Sequence, residues 1–100
     1  MRIKLAKSEV IHLVGIGGIG MSGLALVMSR MGFEVQGSDI SLNKNIERLK
    51  KDKIKIFIGH EKKNISRATI IVISSAVKKN NIEVISAKEK NLPIYKRGDM

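Results

Sequence analysis

Apolar residues along this chain switch between two periods, and the switching lays out the elements. An apolar run at 10–14, broken only by His12, predicts a strand covered on both faces. After a glycine cluster, Met21, Leu24, Ala25, Met28 and Met31 recur at helical spacing, with Leu26 and Val27 widening the stripe. A helix is therefore expected over 19–31, with Gly32 placed to end it. A second strand is expected over 33–37, running into Ser38-Asp39. A polar helix over 42–51 follows, capped by Ser41 or Asn43, with Ile46 and Leu49 inward. A third strand at 54–58 closes on Gly59-His60. Residues 61–67 are charged and predict no more than a helical turn. Thr69 to Ile73, TIIVI, is the most β-like run of the chain and predicts a buried fourth strand. Asn80 is expected to cap the next helix, with Glu83 completing a capping box and the end near Lys90 and Asn91. Pro93 opens a short last strand, Ile94-Tyr95. Proline donates nothing to a ladder, so that strand belongs at an edge. Residues 1–9 read as a polar lead-in. Arg97 to Met100 show no closing element and look like a cut at a domain boundary.

Strands alternating with helices imply an α/β domain, an open parallel sheet of about five strands with helices on both faces. The stretch around which it is organised is VIHLVGIGGIGMSGLALVMSRM, from Val10 to Met31. Gly15, Gly17 and Gly20 fit G-x-G-x-x-G between a strand and a helix, the setting that makes this pattern a Rossmann-like nucleotide site. Glycines let backbone N–H groups approach an anion, and the first turn of the helix adds its own unpaired N–H groups and dipole. The loop is therefore expected to cradle a diphosphate. Asp39 stands nineteen residues after Gly20, at the end of the second strand. It either accepts from a ribose hydroxyl or caps the next turn, and the upstream loop favours the ribose. His60 lies at the carboxyl end of a strand, where ligands bind in such sheets, or is an inert loop residue. Ser74 and Ser75 either bond phosphate or sugar oxygens or cap a turn. His12 is read as a core histidine with satisfied hydrogen bonds rather than a ligand contact.

Composition narrows the reading further. The 100 residues suit one small domain, and with no cysteine there is no disulfide framework or cysteine zinc site, in keeping with a cytoplasmic setting. The net charge of +10 raises the question of nucleic acid. The lysines are scattered, however, and only Phe33, Phe57 and Tyr95 are available to stack on bases, so most of the charge is read as solvated surface. Five glycines within 15–23 break the uncharged stretch in the wrong place for a membrane span. No G-x-x-x-x-G-K-[ST] occurs, so the chain carries no P-loop for ATP. No metal cluster and no nucleophile–base pair emerge from spacing. The residues describe a binding domain for a diphosphate-containing nucleotide, with no catalytic residue of its own.

HLVGIGGIGMSGLA, from His12 to Ala25, resembles the opening motif of the Mur ligase family, and within it the ligases that add L-alanine to UDP-N-acetylmuramate in peptidoglycan synthesis. Gly37-Ser38-Asp39, Gly59-His60, Val72 to Ala76, Leu92-Pro93-Ile94 and Arg97 continue the resemblance along nearly the whole chain. Ile19 departs from it where the family has a small residue, and Gly98-Asp99 where it tends to have Ala-Glu. The resemblance implies that residues 1–100 are the N-terminal, UDP-N-acetylmuramate-binding domain. The central ATPase domain, with its ATP and magnesium sites, and the C-terminal domain would lie elsewhere. It implies that Gly15, Gly17, Gly18, Gly20, Met21 and Ser22 surround the diphosphate, that Asp39 meets the uridine, and that His60, Ser74, Ser75 and Ala76 line the rest of the site. It implies no cofactor in this part of the ligase and no activity for it alone. Three other readings are open: the ligase that recycles a ready-made peptide onto UDP-N-acetylmuramate, an NAD-binding domain of a dehydrogenase or regulator, and a nucleic-acid module.

Overall fold

In the structure, a computed structural model that describes residues 5–100, the apolar run forms the central strand β1 (Val10–Val14), buried along its whole length. The elements that follow are α1 (Ile19–Arg30), β2 (Glu34–Asp39), α2 (Lys44–Lys51), β3 (Lys55–Ile58), a 3-10 turn at Lys62–Ile65, β4 (Ile70–Ile73), α3 (Ile82–Glu89), β5 (Ile94–Lys96) and a 3-10 turn at Arg97–Asp99. The five strands pair in parallel in the order β3-β2-β1-β4-β5. Of the lead-in expected over residues 1–9, the first four lie outside the described residues.

The alternation of side chains along β1 sorts the two faces. Ile11 and Leu13 join Met21, Ala25 and Met28 of α1 and Leu49 of α2 on one side. Val14 joins Ile65, Ile71 and Ala87 on the other, under α3 and the first 3-10 turn. Helices thus cover both faces, as the period-switching predicts. In α2 the charged sequence leaves Ile46 and Leu49 as the buried pair, each stabilising the domain by about 2 kcal/mol through burial. Asn43 caps that helix, its side chain accepting from the Ile46 amide. β2 extends to Asp39, further than the apolar pattern indicates, because Ser38 pairs with Val14 and Phe57 and Asp39 with Ile58. β5 lies at the edge, as Pro93 requires.

Two expectations are corrected. Asn81, not Asn80, caps α3, accepting from the Glu83 amide at 2.9 Å, and the Glu83 carboxylate forms no capping box but turns inward, fully buried. The last residues do close on themselves: Arg97–Asp99 form a 3-10 turn in which the Asp99 carboxylate accepts from the Lys96 amide.

Candidate functional site

β1 has β2 on one side and β4 on the other, so the chain's path across the sheet reverses at β1. The loops leaving β1 and β4 diverge at that point and open a crevice at the carboxyl edge. A cleft of about 420 Å³ lies there. It gathers Gly15, Gly18, Asp39, His60, Ser74 and Ala76 from the residues expected in the site. Ile40, Val77, Lys78, Asn80 and Asn81 complete its wall and were not foreseen, because nothing local marks a loop residue as facing a cleft.

The glycine loop is held by its own amides. Gly15 and Ile16 N–H donate to the Ser38 carbonyl at 2.9 and 3.0 Å, Gly18 N–H to the Gly15 carbonyl at 3.2 Å, and Gly17 N–H to Asp39 Oδ2 at 2.7 Å. The Gly17 carbonyl accepts from Asn45 Nδ2 at 2.9 Å and more weakly from Asn43. These amides are therefore spent on the fold, which corrects the expectation that the loop itself aims them at an anion. What remains is the first turn of α1: Ile19, Gly20 and Met21 N–H take no partner among the described residues. Asp39 does not cap a helix. It ties the loop to the end of β2 through Oδ2 and accepts from the Ile40 amide through Oδ1, while still lining the cleft. Close approach explains two glycines. A Cβ on Gly17 would stand 2.6 Å from Asp39 Oδ2, and one on Gly20 would stand 2.7 Å from Nε of Arg97, whose side chain lies over the start of α1.

Not every expected residue reaches the cleft. The Met21 side chain is buried in the core, and Ser22, also buried, donates to the Ile19 carbonyl. Both face inward because they occupy the buried stripe of α1, so only main-chain groups of this turn remain for a ligand. Ser75 does not line the cleft; with Ser74, which lines both, it borders a neighbouring recess lined also by Lys78, Lys79, Lys88 and Lys96. Among the described residues no group of three or more histidines and carboxylates is placed to hold a metal ion, and no helix is long and apolar enough to cross a membrane.

Behind the cleft sits a buried polar cluster that sequence reasoning missed. Glu83 Oε1 accepts from His12 Nε2 at 2.7 Å and Ser38 Oγ at 2.6 Å; Oε2 accepts from Asn64 Nδ2 at 2.8 Å and the Glu61 amide at 3.1 Å. Burial alone pushes this carboxyl up, but hydrogen bonds from His12, Ser38 and Asn64 outweigh it and hold the group at about 2, against an ordinary 4.5. Gln36 Nε2 donates to the Asn64 carbonyl and to His12 Nδ1, both at 2.8 Å. His12 is thus the satisfied core histidine that its place in β1 suggested. The available sequence signal was a carboxylate on the apolar side of α3, beside Val84 and Ala87, facing a strand with one histidine.

The family profile described as "Mur ligase family, catalytic domain" matches residues 10–100. Over all 100 residues the chain is 75% identical to the UDP-N-acetylmuramate–L-alanine ligase of Pelagibacter ubique, of which it spans 22%. Among solved structures, a UDP-N-acetylmuramate–alanine ligase from Thermotoga maritima aligns with 89% of this chain and 21% of its own, with a TM-score of 0.86 and 37% identity. The UDP-N-acetylmuramate:L-alanyl-γ-D-glutamyl-meso-diaminopimelate ligase from Neisseria meningitides aligns with 89% of this chain and 28% of its own, with a TM-score of 0.83 and 28% identity. The chain therefore spans about a fifth of the length of the relatives it matches.

Proposed function

This chain belongs to the Mur ligase family, and we propose that it is the N-terminal domain that holds UDP-N-acetylmuramate in a cytoplasmic ligase joining that nucleotide sugar to L-alanine. The observation that carries the reading is the 75% identity to an alanine ligase along every residue of the chain. The likeness to the peptide-adding ligase is weaker, at 28% identity.

The geometry fits a nucleoside diphosphate. The unpaired Ile19, Gly20 and Met21 amides offer the diphosphate three donors at the positive end of α1, with the Gly15–Gly18 turn setting how closely it approaches. Lys78 adds a cation on the cleft wall. Asp39 and His60 meet the nucleoside, and Ser74 and Ala76 close the side under β4. The net charge of +10 favours the approach of a polyanionic substrate. In the complete ligase, ATP would phosphorylate the muramoyl carboxylate. The L-alanine amine would attack the acyl phosphate, forming the amide and releasing phosphate. ATP and magnesium belong, on this reading, to parts of the ligase beyond this chain, whose own task is to bind and orient.

Calorimetric titration with UDP-N-acetylmuramate, UDP and NAD in parallel tests the proposal. Saturable binding of both uridine ligands and none of NAD is expected. Binding of NAD without either uridine ligand would overturn the reading in favour of a dehydrogenase-type domain.

A further inference from the structure

His60 lines the cleft, and a proton count inside the fold decides which of its ring nitrogens is free to accept. Ser38 Oγ lies 2.6 Å from Glu83 Oε1 and 3.0 Å from His60 Nδ1. Glu83 is surrounded by donors from His12, Asn64 and the Glu61 amide, and a carboxylate in such company only accepts. The Ser38 hydroxyl owns one proton, and the contact with the carboxylate requires it. Ser38 therefore accepts from His60, and the hydrogen of that bond sits on Nδ1. Glu83 Oε2, at 3.5 Å from the same nitrogen, attracts the same hydrogen. A neutral imidazole protonated on Nδ1 has a lone pair on Nε2. Nε2 is not sealed away: His60 lines the cleft, and the only buried side-chain polar atom without a partner among the described residues is Ser86 Oγ.

We infer that Glu83 and Ser38 are positioning residues for His60, holding its proton on Nδ1 so that Nε2 faces the cleft as a hydrogen-bond acceptor. The group it takes is then a donor on the nucleoside, a ribose hydroxyl or the uracil imide N–H, and not a phosphate oxygen. A phosphate oxygen at Nε2 would set one acceptor against another, whereas the Lys78 ammonium on the cleft wall and the unpaired amides of Ile19, Gly20 and Met21, which follow the cleft-lining Gly18 at the start of α1, supply donors. The cleft is thereby divided into an accepting end, with Asp39 and His60, and a donating end at α1. The nature of the ligand group rests on the uridine diphosphate reading; the position of the proton does not.

Long-range ¹H–¹⁵N spectra of the ligand-free chain at about pH 8, where an ordinary histidine is neutral, read the proton position directly. His60 is expected with a protonated Nδ1 and a bare Nε2; a hydrogen on Nε2 would overturn the inference. In Ser38→Ala the Nε2-protonated form should appear and affinity for UDP should fall about tenfold, the loss of one hydrogen bond. Competition by inorganic pyrophosphate should stay within about twofold of wild type, because the donating end is untouched. An equal loss for UDP and pyrophosphate would refute the division of the cleft. An unchanged proton position in that variant would refute the role of Ser38. A wild-type chain with the expected proton position that fails to bind UDP would overturn the uridine reading and leave the positioning of His60 standing.

Discussion

Replacing Glu83 by glutamine tests whether the buried cluster works as an anion held by donors. The carboxyl falls from an ordinary 4.5 to about 2 on folding, which corresponds to about 3 kcal/mol of stabilisation at neutral pH. The sign follows from proton binding. With the folded value below the unfolded one, the unfolded chain binds more protons in acid. The contribution is complete above about pH 4.5 and is lost as pH falls through about 2. Glutamine keeps the shape but removes the charge, and it turns amide hydrogens toward groups that themselves donate. Leaving such donors unmatched costs about 1–3 kcal/mol each, so the two routes agree on a loss of about 3 kcal/mol at pH 7. A domain of this size has about 5–15 kcal/mol to lose, so the variant should still fold. Urea unfolding followed by circular dichroism from pH 7 down to about 2 measures both chains. The gap between wild type and E83Q should close as pH falls, while the other carboxylates, common to both, cancel in the difference. A gap that stays constant with pH would refute the account of Glu83 as a stabilised anion.

Five further substitutions probe the loop, the cap and the strand β2 beside the central one. Gly17→Ala should cost about 2 kcal/mol in urea unfolding, because its Cβ meets Asp39 Oδ2 at 2.6 Å and breaks the tie to the Gly17 amide. Gly18→Ala, whose Cβ comes no nearer than 3.6 Å to other atoms, should cost under about 1 kcal/mol, and equal losses would contradict the packing argument. Asn81→Ala should lower stability by about 1 kcal/mol through loss of the cap, while Asn80→Ala should change it by less than about 0.5 kcal/mol; the reverse ranking would restore Asn80 as the cap. Gly37→Ala should cost about 3 kcal/mol in thermal or urea unfolding, since its Cβ would stand 2.5 Å from Ile16 Cδ1 and 2.6 Å from the Leu13 carbonyl, against the main chain of a neighbouring strand; an unchanged midpoint would refute it.

The sequence by itself determined the order of the elements, the central place of 10–14, the edge position of the strand after Pro93, the inward faces of Ile46 and Leu49, and the glycine turn at the head of α1. Each follows from a local cause: hydrophobic period, a missing donor, or the lack of a Cβ. The tertiary structure decided the rest. A capping-box spacing made Glu83 look like a helix-start residue, but the carboxylate found stronger donors on His12, 71 positions away, and on Ser38, 45 positions away. The loop amides seemed free for an anion until the fold brought Ser38 and Asp39 against them. Ser74 and Ser75, neighbours in sequence, share the lysine-lined recess, but only Ser74 also reaches the cleft, a distinction set by the turn that follows β4. A residue's pattern reveals which face it occupies. Its hydrogen-bond partner is chosen only when strands distant in the chain are laid side by side, because burial then requires every donor and acceptor to find a match among the groups present.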